Sequence, residues 1–165
     1  MQPVIKFDAS GNCVGSNIYY DAVPDPLPPN EIACTEAQAQ NPAAWKVSNG
    51  ALVSVPPTLA QQAQALLDGG FQVTSTSTPA INGTYPCDAT TQQQINAEIT
   101  SLLLNGTFTD GTTSLVWSDK SGAEHIFEVT QFKAFATRLA AFVTGCVKAT
   151  KGRATGLPVQ PATIP

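Results

Sequence analysis

The residues of this chain that could do chemistry are one histidine, four cysteines and twelve carboxylates. His125 falls in a strand-like segment two residues before Phe127, with Glu124 and Glu128 on either side. A general base must reach a reacting group or an orienting partner, and these neighbours form no recognised motif. We therefore expect His125 to face solvent or to bond a turn carbonyl, and the sequence predicts no catalytic residue.

The sequence lacks the motifs that mark two common enzyme classes. A nucleophile elbow needs Gly-x-Ser-x-Gly, which does not occur in the chain. A phosphate-binding loop ends in Gly-Lys-Ser or Gly-Lys-Thr, whereas Lys151-Gly152 has the reverse order. The two carboxylates of a glycoside hydrolase meet only in the folded chain, so spacing does not exclude them. The chain is predicted not to be an enzyme, and glycan cleavage is kept as an alternative.

The cysteines are too far apart for a zinc site. Structural zinc sites pair their cysteines two to four residues apart and add further cysteines or histidines. Here the cysteines are Cys13, Cys34, Cys87 and Cys146. We predict no metal and no cofactor, and we expect all four thiols to pack in the core in reduced form, with disulfide bridging as the alternative.

Composition narrows the class of protein. Only 12% of the residues are charged, about half the average for soluble domains. The 42% of hydrophobic residues is too high for a disordered chain, and no apolar run reaches the roughly 18 residues of a membrane span. We expect no signal peptide, because the residues after Met1 lack the basic stretch, apolar core and small-residue cleavage site of one. We expect a folded protein that is made in a cytoplasm and does not contact a membrane.

Charge is distributed unevenly along the chain. The net charge is −4, yet residues 130–165 hold five basic side chains and no acidic one. Five charges over this length make a poor footprint for nucleic acid, so docking onto an acidic neighbour, such as another copy of the chain, is favoured. Plain disorder of the tail is the alternative. The residues predicted to contact a neighbouring subunit are Lys148, Lys151, Arg153, Leu157, Val159 and Ile164.

The sequence of the N-terminal section, residues 1–57, predicts hairpins joined by a proline-rich connector. Asn49-Gly50 lies between two extended runs and is typical of a type I′ hairpin, in which both turn residues need positive φ. A further hairpin is expected around the turn 8–12. The four prolines of 23–29 predict an extended connector, and one or two helical turns are expected within 31–40.

Hairpins and helices alternate in the following section. Asn82-Gly83 predicts a turn, and a longer hairpin turn is expected at 118–122. Thr58 is expected to open a short helix, Asp88 or Thr90 a second, and Thr130 a third. The apolar faces of the second and third helices are predicted to comprise Ile95, Ile99, Leu102 and Leu103, and then Phe132, Phe135, Ala136, Leu139, Phe142, Val143, Cys146 and Val147.

These elements predict an α+β fold with three parts. A β-hairpin-rich section spans residues 1–57 and includes the connector. A small domain of hairpins packed on two amphipathic helices spans 58–147, and an extended basic tail spans 148–165.

Two stretches of the chain resemble phage proteins. The patterns of 4–11, 28–35 and 45–58 are similar to the N-terminal part of phage tail-fibre assembly proteins. Residues 70–147 more closely resemble a domain of unknown function found in phage tail-fibre and fibre-assembly proteins. That second resemblance is carried by Tyr85, Asp88, Thr91, Gln92, Ile95, Trp117, Asp119 and Gly122, and by the helix start Val129-Thr130-Gln131-Phe132 that continues to Phe135-Ala136.

The resemblance implies a non-enzymatic bacteriophage tail protein. It would be a structural component of the virion at the tail fibre or baseplate, made in the host cytoplasm. Its partners would be other tail or fibre proteins, copies of itself among them, with neither nucleic acid nor membrane. One alternative is a fibre-assembly chaperone that is not retained in the virion. Another is a receptor-binding or glycan-cleaving fibre component, for which the polar stretch 74–78 could meet a host surface receptor.

Overall fold

The computed structural model describes all 165 residues and divides them into two units, Met1–Pro57 and Thr58–Pro165. Four helices and ten short strands, arranged in small sheets, make up the chain. The predicted α+β class is confirmed.

The first unit is built from hairpins with little buried side-chain volume. Its elements are β1 (Gln2–Phe7), β2 (Cys13–Tyr19), β3 (Glu31–Ala33), α1 (Glu36–Gln40), β4 (Trp45–Ser48) and β5 (Ala51–Ser54). The sheet order β2-β1-β3 is antiparallel throughout, with Val4 and Ile5 of the central strand fully buried. At the β4–β5 turn, Asn49 and Gly50 have φ of 51° and 74°, which confirms the predicted hairpin.

The second unit surrounds one long helix. Its elements are α2 (Leu59–Gly69), β6 (Phe71–Thr74), β7 (Gly83–Tyr85), α3 (Ala89–Leu104), β8 (Ser114–Ser118), β9 (Glu124–Glu128), α4 (Val129–Thr150) and β10 (Ala162–Thr163). One sheet has the order β10-β6-β7, and β8 pairs with β9 in a second. None of the four helices combines the length and apolarity that a membrane span requires.

Aromatic rings fill the core of the second unit. The ring centroid of Phe135 on α4 lies 5.9 Å or less from those of Phe71, Tyr85, Phe127 and Phe132. All four ring pairs meet at tilted or edge-on angles, the arrangement that aromatic quadrupoles favour. The buried positions of α4 are Phe132, Phe135, Leu139, Phe142, Cys146 and Ala149. The helical period read from the sequence identifies most of this face, but the prediction for Val147 is wrong, because Val147 is exposed and Ala149 is the last buried residue of the helix.

The N-cap residues of α2 and α3 are those expected from the sequence, whereas that of α4 is not. The Thr58 hydroxyl accepts a hydrogen bond from the backbone N–H of Gln61, and the Asp88 carboxylate caps α3 in the same way, as predicted. The prediction of Thr130 as the cap of α4 is wrong, because the helix already begins at Val129. Strand β9 runs directly into α4, so Glu128 takes the cap position and its N–H donates to the Gln131 side chain at 3.0 Å.

The turn predicted at Asn82-Gly83 is also wrong, although β6 and β7 do pair antiparallel. Asn82 has φ −69°, Gly83 is the first residue of β7, and residues 75–82 form the connection. A Cβ at Gly83 would lie 3.3 Å from both the Asp119 carboxylate and the His125 ring. This glycine therefore permits a close approach of side chains instead of making a turn.

Candidate interaction surfaces

The stretch after α4 folds back onto its own unit. We call residues 151–165 the C-terminal segment. Helix α4 continues to Thr150, three residues beyond its predicted end, and the chain leaves it through Gly152 at φ +65°. Strand β10 then pairs parallel with the edge of β6, with Thr163 opposite Thr74. The backbone N–H of Ile164 continues this pairing by donating to the Thr74 carbonyl at 3.0 Å.

Side chains extend this pairing beyond the short strand. The Gln160 side chain accepts a hydrogen bond from the backbone N–H of Gln72 at 2.6 Å. Its amide nitrogen donates to the Gly70 carbonyl at 3.4 Å. At the other end, the Ser75 hydroxyl donates to the Pro165 carbonyl at 2.9 Å. Before β10 begins, the Gln160 side chain thus makes the hydrogen bonds to the backbone of Gly70 and Gln72 that a paired strand would otherwise make.

Helix α4 carries a notch for the C-terminal segment. A Cβ at Gly145 would lie 2.6 Å from a ring carbon of Pro158, so only glycine leaves room for the proline at this contact. Glycine within a helix costs about 1 kcal/mol relative to alanine, and the seat for Pro158 accounts for its presence here. Sequence reasoning missed this pair. A lone glycine on an otherwise apolar helical stretch is the signal that could have indicated it.

The six residues predicted to contact a neighbour separate into two groups. The basic side chains of Lys148, Lys151 and Arg153 are exposed and form no ion pair. Leu157 is half-buried against the core and Val159 is 87% exposed. Ile164 is 3% exposed because it fills the core of its own unit.

In this structure, contrary to the prediction, Ile164 therefore does not face a partner but fills the core of its own unit. An isolated apolar residue near the end of a proline-rich tail does not reveal which core it enters. Here the edge of β6 offers both a hydrogen-bonding strand and an apolar slot, and the C-terminal segment of the same chain fills them.

A groove of about 530 Å³ lies between α3 and α4. Ile95, Ile99, Leu139 and Val143 line it, and Lys133 is its one charged lining residue. The uncharged polar side chains of Gln92, Asn96, Thr137 and Thr144 also line it, so the groove is mainly apolar, with polar groups and a single charge.

Leu103 lies at this groove but is 73% exposed, and Leu104 beside it in the chain is 78% exposed. The prediction that Leu103 is buried is wrong. At about 100° per residue, Leu102 lies nearly in line with Ile95, whereas Leu103 is turned away by about 80°. Leu102 is accordingly the buried leucine at this end of α3.

A second apolar patch lies on the β8–β9 hairpin. Val116 and Ile126 pair directly across the two strands, and both side chains are exposed. Glu124 and Glu128 occupy the same outer face of β9, because side chains alternate along a strand. This patch is small and bordered by acidic side chains, unlike the groove between α3 and α4.

His125 is held between two oxygen atoms. Its Nδ1 lies 2.7 Å from the Ala80 carbonyl oxygen, and its Nε2 lies 3.5 Å from an Asp119 carboxylate oxygen. The ring of Tyr85 packs edge-on against it. The side chain of His125 is only 11% exposed. Of the two expectations for His125, exposure to solvent and a bond to a turn carbonyl, the structure shows the second, and its contacts join the β8–β9 hairpin to the β6–β7 connection.

Asp119 belongs to the turn between β8 and β9. Its carboxylate accepts hydrogen bonds from the Ser121 hydroxyl at 2.7 Å and from the backbone N–H groups of Ser121 and Ala123. These bonds, that of the Ser121 hydroxyl first, together with His125, lower the pKa of Asp119 to about 2. Asp119 is thus a fixed anion that organises a turn.

Residues 74–78 are held by internal hydrogen bonds. Ser75 is buried, its backbone N–H donates to the Asn82 side chain, and its hydroxyl accepts from the N–H of Thr78. The hydroxyl of Thr78 accepts in turn from the Gln131 side chain at 2.7 Å. Several hydroxyl groups of this stretch are therefore engaged within the chain.

The four cysteines are free thiols. Cys87 and Cys146 are buried in the second unit as expected, while Cys13 and Cys34 are only half-buried in the first. Burial raises the pKa of all four thiols. No group of three or more histidine, cysteine or acidic side chains lies close enough together to hold a metal ion.

Taken together, the second unit is an α+β domain with an apolar groove and a self-docked C-terminal segment. Residues 58–154 match the model of a domain of unknown function, DUF4376, and the chain belongs to that family. The match covers more than half of the chain and begins at the boundary between the two units. No curated protein and no solved structure matches the chain.

Proposed function

We propose that this chain is a non-enzymatic structural protein of a bacteriophage tail, located in the virion at the fibre or baseplate, where it docks onto neighbouring tail proteins. The resemblance of residues 70–147 to a domain of phage tail-fibre proteins supports the class. The observation that carries the docking role is the mainly apolar groove between α3 and α4, which the exposed Leu103 lines; Leu104, next in the chain, is also exposed but does not line it.

The composition of this groove favours a permanent protein partner. Concave, mainly apolar grooves between helices are common binding sites in proteins. The centres of such interfaces are depleted of charge, because a buried unpaired charge costs several kcal/mol. With Lys133 as the single charged lining residue, the groove meets this condition. Its occupant in the proposal is an apolar side chain or helix of an adjacent tail or fibre protein.

Mass spectrometry of purified phage particles tests the proposal. The chain is expected in the particle at a fixed copy number. A variant with Leu103→Ser and Leu104→Ser should be incorporated at least about tenfold less, since burying one leucine contributes about 1.5–3 kcal/mol and 1.4 kcal/mol is a factor of ten. Both leucines are exposed, so the variant should fold.

A matched control is Val14→Ser, which removes an exposed apolar side chain from the first unit. It should leave incorporation unchanged. Normal incorporation of the double leucine variant would contradict docking through the groove. Absence of the wild-type chain from particles, combined with a need for it in fibre production, would replace the proposal with the assembly chaperone.

A further inference from the structure

The C-terminal segment covers the edge of a β-strand, a kind of site that can bind other extended peptides as well. Strand β6 pairs with β7 on one side only, so without β10 its other edge would be open. An open edge accepts an extended peptide through backbone hydrogen bonds, and pockets beside it select the side chains. In this chain the peptide is Gln160 to Pro165, and the selecting contacts are the slot for Ile164 and the notch at Gly145.

The covering strand itself is only two residues long. Only Ala162 and Thr163 form the strand, supplemented by the hydrogen bonds of Gln160, Ile164 and Pro165. The connection from α4 is mostly exposed and contains two glycines. The segment that closes the edge also lies beyond the residues that match the family model.

We propose that the C-terminal segment exchanges between copies of this chain, so that residues 157–165 of one copy occupy the β6 edge of another. The identity of the occupant follows from the site, because the one sequence seen to fit the β6 edge, the Ile164 slot and the Gly145 notch is the chain's own. The inference rests on the proposed function in one respect: assembly into a particle brings the copies together.

Concentration decides between the closed and the exchanged arrangement. The contacts at the β6 edge are the same in both, as in other swapped proteins. Once the segment is released, a connection this short gives it an effective concentration of the order of mM at its own edge. Dilute chains are therefore closed monomers, and copies packed side by side at comparable local concentration exchange segments.

Shortening the connection tests this directly. Deletion of Arg153–Gly156 removes about 14 Å of reach, at up to about 3.6 Å per residue, and should prevent return to the same β6 edge. Light scattering of the full chain with this deletion should show a mass about twice that of the monomer, or a larger closed ring, even at micromolar concentration. A control that replaces the same four residues by Gly-Ser-Gly-Ser should remain monomeric.

Addition of Ile164→Ser to the deletion should restore the monomer, since a serine cannot fill the apolar slot. A deletion variant that is monomeric would overturn the proposal. Association that persists unchanged with Ile164→Ser would overturn it as well, because the contact would then lie elsewhere.

A second measurement keeps the original connection. One full-length chain carries Thr74→Cys and another carries Thr163→Cys, in a background where Cys13 and Cys34 are serine. Mixed at about 1 mM and oxidised, the two should form a disulfide-linked pair, with a yield that falls on dilution. A chain with Thr113→Cys, an exposed position, replaces the Thr163 variant as control. Equal yields from the two mixtures would contradict exchange.

The two proposals fail separately. A chain that is present in particles without the cross-link between Thr74→Cys and Thr163→Cys overturns the exchange and leaves the tail assignment intact. A chain that is absent from particles overturns the tail assignment, and the light-scattering result still decides whether segments exchange.

Discussion

One five-residue turn occurs twice in the molecule, once in each unit. Residues 8–12 and 119–123 share the pattern Asp-x-Ser-Gly-x. In each, the aspartate carboxylate accepts hydrogen bonds from the N–H groups of the third and fifth residues, at 2.8 to 3.0 Å. The fourth residue is a glycine with φ of 82° in the first turn and 85° in the second. The local chemistry of the two turns is therefore the same.

Their surroundings differ. The carbonyl of Gly11 accepts a hydrogen bond from Val47 at 2.7 Å, and a Cβ at Gly11 would overlap the Val47 carbonyl oxygen. Gly122 has nothing within 4 Å of its Cβ position. Conversely, Asp119 reaches His125, whereas Asp8 bonds only within its own turn. The five-residue sequence specifies the conformation of the turn. The neighbouring elements determine which of its residues does not tolerate substitution.

The largest effect is expected for Gly11→Ala. A left-handed backbone costs an alanine about 1–2 kcal/mol, and the overlap with Val47 adds to this because β4 would have to shift. Urea unfolding of the first unit, followed through Trp45 in a Trp117→Phe background, should show the loss. An unfolding midpoint equal to that of the parent would contradict the close approach of the turn to β4.

A smaller effect is expected for His125→Ala in the second unit. Removal of the ring leaves the Ala80 carbonyl without its partner, which costs about 1–3 kcal/mol. Unfolding of the second unit can be followed through Trp117 in a Trp45→Phe background. The control is Glu124→Ala on the outer face of the same strand, which should change stability by less than about 0.5 kcal/mol. A His125 variant as stable as this control would refute the contact of the hairpin with the β6–β7 connection.

Gly122→Ala sharpens the comparison with Gly11. The same change in an open turn should cost only the conformational term, about 1–2 kcal/mol. The difference in unfolding free energy between the two alanine variants then measures the packing against Val47. Equal losses would show that the two turns have equivalent surroundings.

The smallest effect is a change in stability that occurs only at acidic pH and depends on Asp119. A carboxyl group whose pKa is depressed by folding stabilises the protein above its unfolded pKa, 3.8, and loses that contribution as pH falls through about 2. The stability difference between wild type and Asp119→Asn should therefore shrink between about pH 4 and pH 2. The pKa of Asp8 is also lowered, so Asp8→Asn should show the same sign. A difference that is constant across this range would contradict the hydrogen-bonded anion.

Elements with strong local signals are predictable from this sequence. Asn49-Gly50 specifies its own hairpin, and the spacing of phenylalanines identifies the buried face of α4. The same dipeptide at Asn82-Gly83 predicts a turn that does not form there: Gly83 begins β7, and side chains from another hairpin approach it closely. The helical turn expected within 31–40 is present as α1 with Thr35 as its cap, and residues 31–33 before it pair with β1 as β3.

The candidate surfaces were less accessible to sequence reasoning. Exposure of Leu103 depends on where α3 meets α4, and burial of Ile164 depends on an open strand 90 residues earlier in the chain. Both are contacts between distant segments, which no local period encodes. The basic residues Lys148, Lys151 and Arg153 are exposed as their charge requires, and their role as contacts stays a prediction.

Each of the two units contains two free thiols that a thiol reagent can modify. Cys13 and Cys34 lie in the first unit, and Cys87 and Cys146 are buried in the second, where Cys87 donates to the Leu67 carbonyl. A buried thiol reacts with an alkylating reagent only when its surroundings open. The rate at which Cys87 and Cys146 are modified under native conditions would therefore report how often the second unit opens, without any engineered label, whereas Cys13 and Cys34 are partly accessible in the folded first unit.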